Sequence, residues 1–135
     1  MITAVDTSVL LDVFGADRRF GESSSEALRG CLAEGSLIAC EVVWAEVAAA
    51  FPSPDAAATA MSALGVRFSA IDADVALSAG GAWSAYRDAG GRRQRVIADF
   101  LIAAHALSEA ERLVTRDRGF FRRYFSALAV LDPTA

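Results

Sequence analysis

Short apolar runs alternate with helical segments along this chain, and this alternation restricts the fold more than any other feature of the sequence. Five runs have the length and composition of strands, at residues 2–5, 36–39, 66–71, 112–115 and 128–131. The segments between them are longer and helical in pattern. Strands that alternate with helices favour a parallel sheet covered on both faces, with right-handed crossovers. The sequence therefore predicts an α/β fold.

The predicted helices are bounded by capping and breaking residues. A short helix around Val9 is followed by helices at residues 23–34, 42–51, 55–64, 72–88, 96–109 and 117–125. Ser23 and Glu26 are spaced as a capping box, and Pro52 stops the helix before it. Residues 96–109 are apolar almost all round, which indicates a buried helix. Residues 66–71 alternate only modestly, which predicts a strand near the sheet edge.

The size and composition of the chain indicate one domain over residues 1–135. With 54% hydrophobic residues, the chain can bury a core without disulfides or metals. Two cysteines are too few for a disulfide framework, and no signal-like run opens the sequence, so we expect a cytoplasmic protein. The longest apolar stretches are interrupted by charges and are too short for a bilayer. No membrane segment is expected.

Charge is distributed unevenly along the chain. The net charge of −4 argues against indiscriminate binding to nucleic acid. Residues 1–86 hold four arginines and eleven acids, whereas residues 87–135 hold nine arginines and six acids. No lysine is present, and arginine suits bidentate contact with phosphate. Four arginines near the acids discussed next are candidates for phosphate contact, with a solvated loop or surface as the alternative: Arg92, Arg93, Arg95 and Arg116.

Four acids stand where the pattern of a core does not require them. Asp6 ends the first strand, at the edge where ligands bind in open α/β sheets. Glu46 is the single charge inside an apolar helix, Asp99 lies in the first turn of the buried helix, and Asp117 follows the fourth strand. Each acid has an ordinary alternative, as a helix cap, a partner of the helix dipole or a solvated side chain.

The surroundings of Glu46 favour a bound cation. Alanine, valine or tryptophan flanks it through a full turn, which predicts a carboxylate in a dry site. Burial of such a charge is costly unless something compensates it. Mg²⁺ or Mn²⁺ prefers carboxylate oxygens and water. Zinc is disfavoured, because His105 is the only histidine and the two cysteines lack ligand spacing. We expect His105 to be a core residue.

Four acids without a glycine-rich phosphate cradle or a nucleophile–base pair suggest metal-assisted hydrolysis of a phosphodiester. In that chemistry a metal lowers the pKa of a bound water and stabilises the leaving oxygen. The hydroxyls of Ser8 and Thr115 are placed beside Asp6 and Asp117, where they would orient that water. Their alternative is an ordinary role at a helix start or in a strand.

These motifs resemble the PIN-domain nucleases, and most closely the VapC-type toxins of bacterial toxin–antitoxin pairs. The resemblance rests on Asp6-Thr7-Ser8 after an opening strand, on the lone Glu46, and on residues 98–107 and 113–120. It covers the whole chain, and the order and approximate spacing of all four acids match. The block at residues 98–107 is the most specific part.

The resemblance implies a three-layer sandwich with a central parallel sheet of about five strands. It also implies an Mg²⁺- or Mn²⁺-dependent endoribonuclease, the toxin of a toxin–antitoxin pair. Asp6, Glu46, Asp99 and Asp117 would be both the catalytic acids and the metal ligands. The implied partners are an RNA substrate, a cognate antitoxin protein and a second copy of the chain in a homodimer. The four arginines named above are then candidates for RNA contact.

Two other readings stay open at this point. A dehalogenase-like phosphatase or a receiver domain also has an Asp after its first strand. The former needs a second Asp where Ser8 stands, and both normally use a lysine, which this chain lacks. A non-catalytic PIN-fold module that binds RNA or an antitoxin is the closer alternative.

Overall fold

A single parallel sheet runs through the computed structural model, which describes residues 1–92 and 95–134. Its five strands are β1 (Ile2–Val5), β2 (Ser36–Ala39), β3 (Val66–Phe68), β4 (Arg112–Val114) and β5 (Val130–Leu131). Their order is β3-β2-β1-β4-β5, and all four neighbouring pairs are parallel. The α/β class and the number of strands predicted from the sequence are confirmed.

Helices connect these strands. They are α1 (Thr7–Phe14), α2 (Gly21–Glu34), α3 (Glu41–Ala49), α4 (Pro54–Leu64), α5 (Ala73–Asp88), α6 (Ile97–Glu109) and α7 (Arg118–Tyr124). Each predicted helix is present, and where bounds were predicted its ends lie within two residues of them. In the described part of the chain, every helix is too short or too polar to span a bilayer.

The predicted start of α2 at a Ser23–Glu26 capping box is wrong. The helix begins at Gly21, and the Ser23 hydroxyl donates to the carbonyl of Phe20 at 3.2 Å instead. A Cβ on Gly21 would lie 3.2 Å from the Asp12 carbonyl oxygen. The chain therefore approaches α1 closely at this glycine. The Asp17 carboxylate accepts the Phe20 amide at 2.8 Å and so bonds the turn that leads into α2.

The strand predicted over residues 66–71 is shorter than expected. β3 ends at Phe68, and it occupies an edge of the sheet, as its modest alternation indicated. It pairs with β2 alone, so only one side of the strand is held by ladder hydrogen bonds. One further bond, from the Ser69 amide to the Ala39 carbonyl at 3.0 Å, precedes the turn toward α5.

β1 lies at the centre of the sheet and determines the position of the site. Val5 is in register with Val114 of β4, and the Asp6 amide donates to the Val114 carbonyl at 3.0 Å. The carboxyl ends of β1 and β4 are therefore adjacent. The residues that follow them, Asp6 and Thr115, meet at one edge of the sheet.

α6 is the buried helix that its composition predicted. Phe100, His105 and residues 102–104 are buried within it. His105 is 1% exposed, and its Nε2 lies 2.9 Å from the Ser69 hydroxyl oxygen. His105 is therefore a core residue, as expected, and its burial lowers its pKa. The amino-terminal end of α6 carries Asp99 toward the end of β1.

Candidate active site

A cavity of about 560 Å³ opens beyond the carboxyl ends of β1 and β4. All four acids singled out from the sequence line this cavity, namely Asp6, Glu46, Asp99 and Asp117. Ser8 lines it as well. The acids come from four separate segments of the chain, namely the end of β1, the middle of α3, the first turn of α6 and the loop before α7. The fold therefore brings together residues that are up to 111 positions apart.

Asp6 is fixed by two hydrogen bonds on its two carboxylate oxygens. Oδ1 accepts the Thr7 amide at 2.8 Å, as the N-cap of α1, and Oδ2 accepts the Thr115 hydroxyl at 2.7 Å. Thr115 is fully buried, and its oxygen also accepts the Asp117 amide at 3.0 Å. One buried hydroxyl thus positions both strand-end acids. The Asp6 side chain therefore both caps α1 and lines the cavity.

Glu46 is not in the dry site that the sequence analysis inferred. Its side chain is exposed on α3, and so are Ala45, Ala49 and Ala50. Alanine is tolerated at a helix surface, so the apolar neighbours did not indicate burial. The Thr7 hydroxyl donates to Glu46 Oε1 at 2.7 Å and holds the carboxylate at the cavity. Thr7 belongs to the Asp6-Thr7-Ser8 motif, but the sequence gave no indication of this bond.

The acids influence each other electrostatically. Burial raises the pKa of Asp6, the hydrogen bonds from Thr115 and Thr7 oppose this, and the charges of Asp99 and Glu46 raise it further. Burial likewise raises the pKa of Asp99, with contributions from Asp117 and Glu46. The carboxylates repel one another when they are charged, and a bound cation would offset this repulsion.

Asp117 is engaged by a cation from the chain itself. Arg95 Nη1 lies 2.5 Å from Asp117 Oδ2, and the same guanidinium lies 4.0 Å from the centre of the Phe120 ring. Arg95 was a candidate for RNA contact, and the structure places it between an acid of the cavity and an aromatic ring. Arg92 does not line this cavity, and Arg93 lies outside the described residues.

Arg116 lines the cavity and is held by a buried acid that the sequence analysis missed. Its Nε and Nη2 donate to the two carboxylate oxygens of Asp12, at 2.8 and 3.2 Å. Asp12 is 4% exposed and also accepts the Ser24 hydroxyl at 2.9 Å. Asp12 is a lone charge in the apolar run of α1, so the reasoning applied to Glu46 would have found it. Arg116 also stacks on Phe20 at 4.1 Å.

The donor set around the cavity suits a hard divalent cation. Its polar lining consists of carboxylates, hydroxyls and one arginine, without a thiol or an imidazole. Within residues 1–92 and 95–134, however, no three acidic, histidine or cysteine side chains already converge as metal ligands. Glu46 is turned to Thr7 and Asp117 to Arg95. The acids therefore surround the cavity rather than a single point.

Comparison with known proteins identifies the fold family. Residues 3–126 match the family model of the PIN domain. A search of curated proteins gives no match. Among solved structures, VapBC-1 from nontypeable Haemophilus influenzae has a TM-score of 0.76 at 20% identity, with 100% of both chains covered.

Two further structures are similar over almost their full length. VapBC2 from Rickettsia felis, bound to a DNA fragment from its promoter, has a TM-score of 0.75 at 19% identity, with 98% of each chain covered. A toxin–antitoxin complex from Klebsiella pneumoniae has a TM-score of 0.70 at 22% identity, with 97% of each chain covered. At these identities the structural similarity concerns the fold, whereas the family model matches the sequence over most of its length. The chain belongs to the PIN domain family.

Proposed function

We propose that this protein is a divalent-metal-dependent endoribonuclease and acts as the toxin of a toxin–antitoxin pair. We also propose that residues 1–135 form one domain. The observation that carries the proposal is the lining of one cavity by four acids from distant segments, two of which have raised pKa values. Membership of the PIN domain family and the similarity to chains from VapBC and toxin–antitoxin complexes support it.

In this proposal Asp6, Glu46, Asp99 and Asp117 hold Mg²⁺ or Mn²⁺. When bound, such an ion supplies a hydroxide-like water and neutralises charge on the phosphate. Thr115 keeps Asp6 oriented, and Thr7 keeps Glu46 at the cavity. Ser8 lines the cavity, where its hydroxyl would orient the attacking water. Asp117 is paired with Arg95, and it would have to release this arginine to join the ligands of such an ion.

The partners follow from the same proposal. We propose RNA as the substrate, a cognate antitoxin protein as the regulator and a homodimer as the assembly. Among the structural relatives, the one from Klebsiella pneumoniae is described as a toxin–antitoxin complex. A cytoplasmic location, where RNA is available, stays a prediction. Size-exclusion chromatography with light scattering would give twice the 14.2 kDa chain mass for a homodimer.

The first test is cleavage of a mixed cellular RNA pool by the purified protein. We expect discrete products with Mg²⁺ or Mn²⁺, and none with EDTA. Asp6→Asn and Asp99→Asn should each reduce cleavage by at least about a hundredfold. Replacing one charged ligand by a neutral one lowers the affinity for the metal and disturbs the position of the water that the metal would activate. Circular dichroism would verify that both variants keep the fold.

A matched control is available in α4. Asp55→Asn makes the same chemical change at an exposed acid that does not line the cavity, and it should cleave like the parent. If Asp6→Asn and Asp99→Asn also cleave like the parent, the assignment of the site is wrong.

One observation favours a second candidate, a non-catalytic PIN-fold module that binds RNA or an antitoxin. In the described residues the acids do not converge as metal ligands, and Asp117 is paired with Arg95. Well-folded protein that is free of copurified antitoxin, and that cuts no RNA with either metal, would support this candidate over the nuclease.

A further inference from the structure

A second cavity, of about 480 Å³, lies next to the acid-lined one and has the opposite charge. It is bounded by the end of α5, the loop that follows and α7. Its charged lining residues are all arginines, Arg92, Arg95 and Arg123, and none of the described residues that line it is acidic. We call it the arginine–aromatic cleft, since its remaining large side chains are Tyr86, Phe120 and Tyr124.

We propose that the arginine–aromatic cleft binds one nucleotide of a single-stranded RNA next to the bond that is cut. This inference rests on the proposed function, because it places the cleft beside the cleaved phosphate. The volume of the cleft falls within the range of roughly 300–1,000 Å³ that is typical of small-ligand sites.

The position of Arg95 makes the two cavities neighbours. Its guanidinium contacts Asp117 of the acid-lined cavity on one side and the Phe120 ring of the cleft on the other. An RNA strand whose phosphate lies among the acids would therefore reach the cleft with an adjacent nucleotide. Without a metal Arg95 is engaged by Asp117, so under that condition the cleft binds its ligand mainly through other groups.

Two arginines at the cleft have charge available for a phosphate. Arg92 and Arg123 are exposed, and within residues 1–92 and 95–134 neither of them has an acidic partner in a salt bridge. Arginine recognises phosphate through parallel N–H donors. On a chain of net charge −4, two unpaired arginines beside a cavity are suited to an anionic ligand.

Tyr124 supplies the surface on which a base would stack. Tyr124 is 38% exposed; Tyr86 contacts its ring edge-on at a centroid distance of 5.0 Å, and Phe120 contacts it at a tilt at 5.3 Å. The Arg123 guanidinium lies 5.4 Å from the centre of the Tyr124 ring, so a stacked base would lie beside this arginine. Tyr86 and Phe120 are only 6% and 7% exposed, so they form the floor of the cleft. An exposed aromatic ring next to arginines is the usual combination for binding single strands.

The backbone on the far side of the cleft is fixed at both ends of Tyr86. The Gly91 amide donates to the Tyr86 carbonyl at 2.8 Å, and the Tyr86 hydroxyl donates to the Arg92 carbonyl at 3.0 Å. Gly90 has a φ of +81°, and a Cβ there or on Gly119 would meet nothing within 4 Å. These glycines leave room at the mouth of the cleft for a ligand.

The test measures RNA binding in EDTA, where cleavage does not interfere. The probe is a fluorescently labelled single-stranded oligoadenylate, titrated at several salt concentrations with the parent protein and with Arg92→Gln/Arg123→Gln. We expect the double variant to raise the Kd about tenfold and to reduce the salt slope by about 1.4, the value for two lost phosphate contacts on a single strand. Arg29→Gln/Arg67→Gln removes the same charge from exposed positions outside both cavities and should bind like the parent.

Stacking is tested with a second variant and a second probe. Tyr124→Leu should raise the Kd for oligoadenylate at least about fivefold. It should leave the Kd for an abasic oligonucleotide of equal length unchanged, because that probe has no base to stack. Should Tyr124→Leu fold poorly, the arginine variant still decides whether the cleft binds the strand.

The outcomes separate this inference from the proposed function. A parent that does not bind oligoadenylate, or a double arginine variant with unchanged Kd and salt slope, overturns the cleft as an RNA site even if the parent cleaves RNA with Mg²⁺. If the variants lose RNA binding but the parent cleaves no RNA under any metal condition, the cleft stands as an RNA-binding site and the proposed nuclease activity is wrong. If oligoglutamate binding needs Arg92 and Arg123 while RNA binding does not, the cleft is a peptide site instead.

Discussion

Thr115 connects two of the four acids through one hydroxyl. It donates to Asp6 Oδ2 at 2.7 Å and accepts the Asp117 amide at 3.0 Å. Thr115→Val keeps the shape but leaves a buried carboxylate oxygen and an amide each without a partner. We expect a loss of about 1–3 kcal/mol in the free energy of unfolding and a large fall in cleavage, measured by urea denaturation and by the RNA assay. Thr115→Ser restores the hydroxyl and should recover both properties; equal behaviour of the two variants would contradict this role.

The raised pKa of Asp6 predicts how the metal-free protein responds to pH. Burial, followed by the charges of Asp99 and Glu46, raises this pKa above its ordinary value of 3.8. Between those two pKa values the folded chain holds a proton that the unfolded chain has released. The contribution of Asp6 to stability is therefore highest at acidic pH and is lost as the pH rises through the raised pKa.

Thermal unfolding in EDTA checks this direction. Other carboxyls titrate as well, and Asp17 and Asp132 have lowered pKa values that act in the opposite sense. The quantity to compare is therefore the difference in Tm between Asp6→Asn and the parent. We expect the Tm of Asp6→Asn to rise relative to the Tm of the parent as the pH increases from acidic to neutral. A difference independent of pH would show that the environment of Asp6 does not disfavour its charge.

At the level of single residues, the sequence identified the acids but not what holds them. Asp6 and Asp117 could be recognised because each follows an apolar strand. Thr7 and Asp12 could not be assigned partners, because the Thr7–Glu46 and Asp12–Arg116 contacts join residues 39 and 104 positions apart. Such contacts depend on how helices pack around the sheet, and local pattern carries no information about that.

At the level of elements, prediction succeeded where the period of hydrophobic residues was clear and breakers marked the ends. α4 is an example, with Ser53 as its N-cap and Gly65 in the left-handed conformation after its last residue. At the start of α2, Asp17 rather than Ser23 bonds the turn before the helix, and Gly21 lies close to α1; the spacing of Ser23 and Glu26 indicated neither feature. The misreading of Glu46 arose because alanines in α3 look apolar in sequence but lie on the surface.

The turn between α2 and β2 offers a test of backbone packing. A Cβ on Gly35 would overlap the backbone of Met1, and the Met1 carbonyl also accepts the Ser36 amide at 3.0 Å. Gly35→Ala must displace this backbone, so we expect a loss of about 1–3 kcal/mol in the free energy of unfolding. Urea denaturation measures it.

Gly30, in the middle of α2, is the matched control. A Cβ there meets nothing within 4 Å, and the position is exposed in the middle of α2. Gly30→Ala should therefore stabilise the protein by up to about 1 kcal/mol, through helix propensity. Similar destabilisation by both substitutions would show that the Met1 contact is not the cause.

At the level of the whole molecule, a metal at the acids would join β1, α3, α6 and the segment before α7. Binding to the folded state alone stabilises it by ~2.7 kcal/mol at a metal concentration of 100 Kd. We expect saturating Mg²⁺ or Mn²⁺ to raise the Tm of the parent but not that of Asp99→Asn, with Asp55→Asn responding like the parent. Equal shifts in all three proteins would place metal binding elsewhere.

The order of the strands has a consequence for synthesis of the chain. β1 is made early, but its neighbour β4 is made late, and the hydroxyl of Thr115 reaches Asp6 across 109 residues. Until β4 is available, Asp6 has neither the Thr115 hydroxyl on its second carboxylate oxygen nor the fourth acid beside it. A nascent or truncated chain thus carries an incomplete site. In the proposed nuclease the set of four acids would therefore be complete only after Asp117 has left the ribosome.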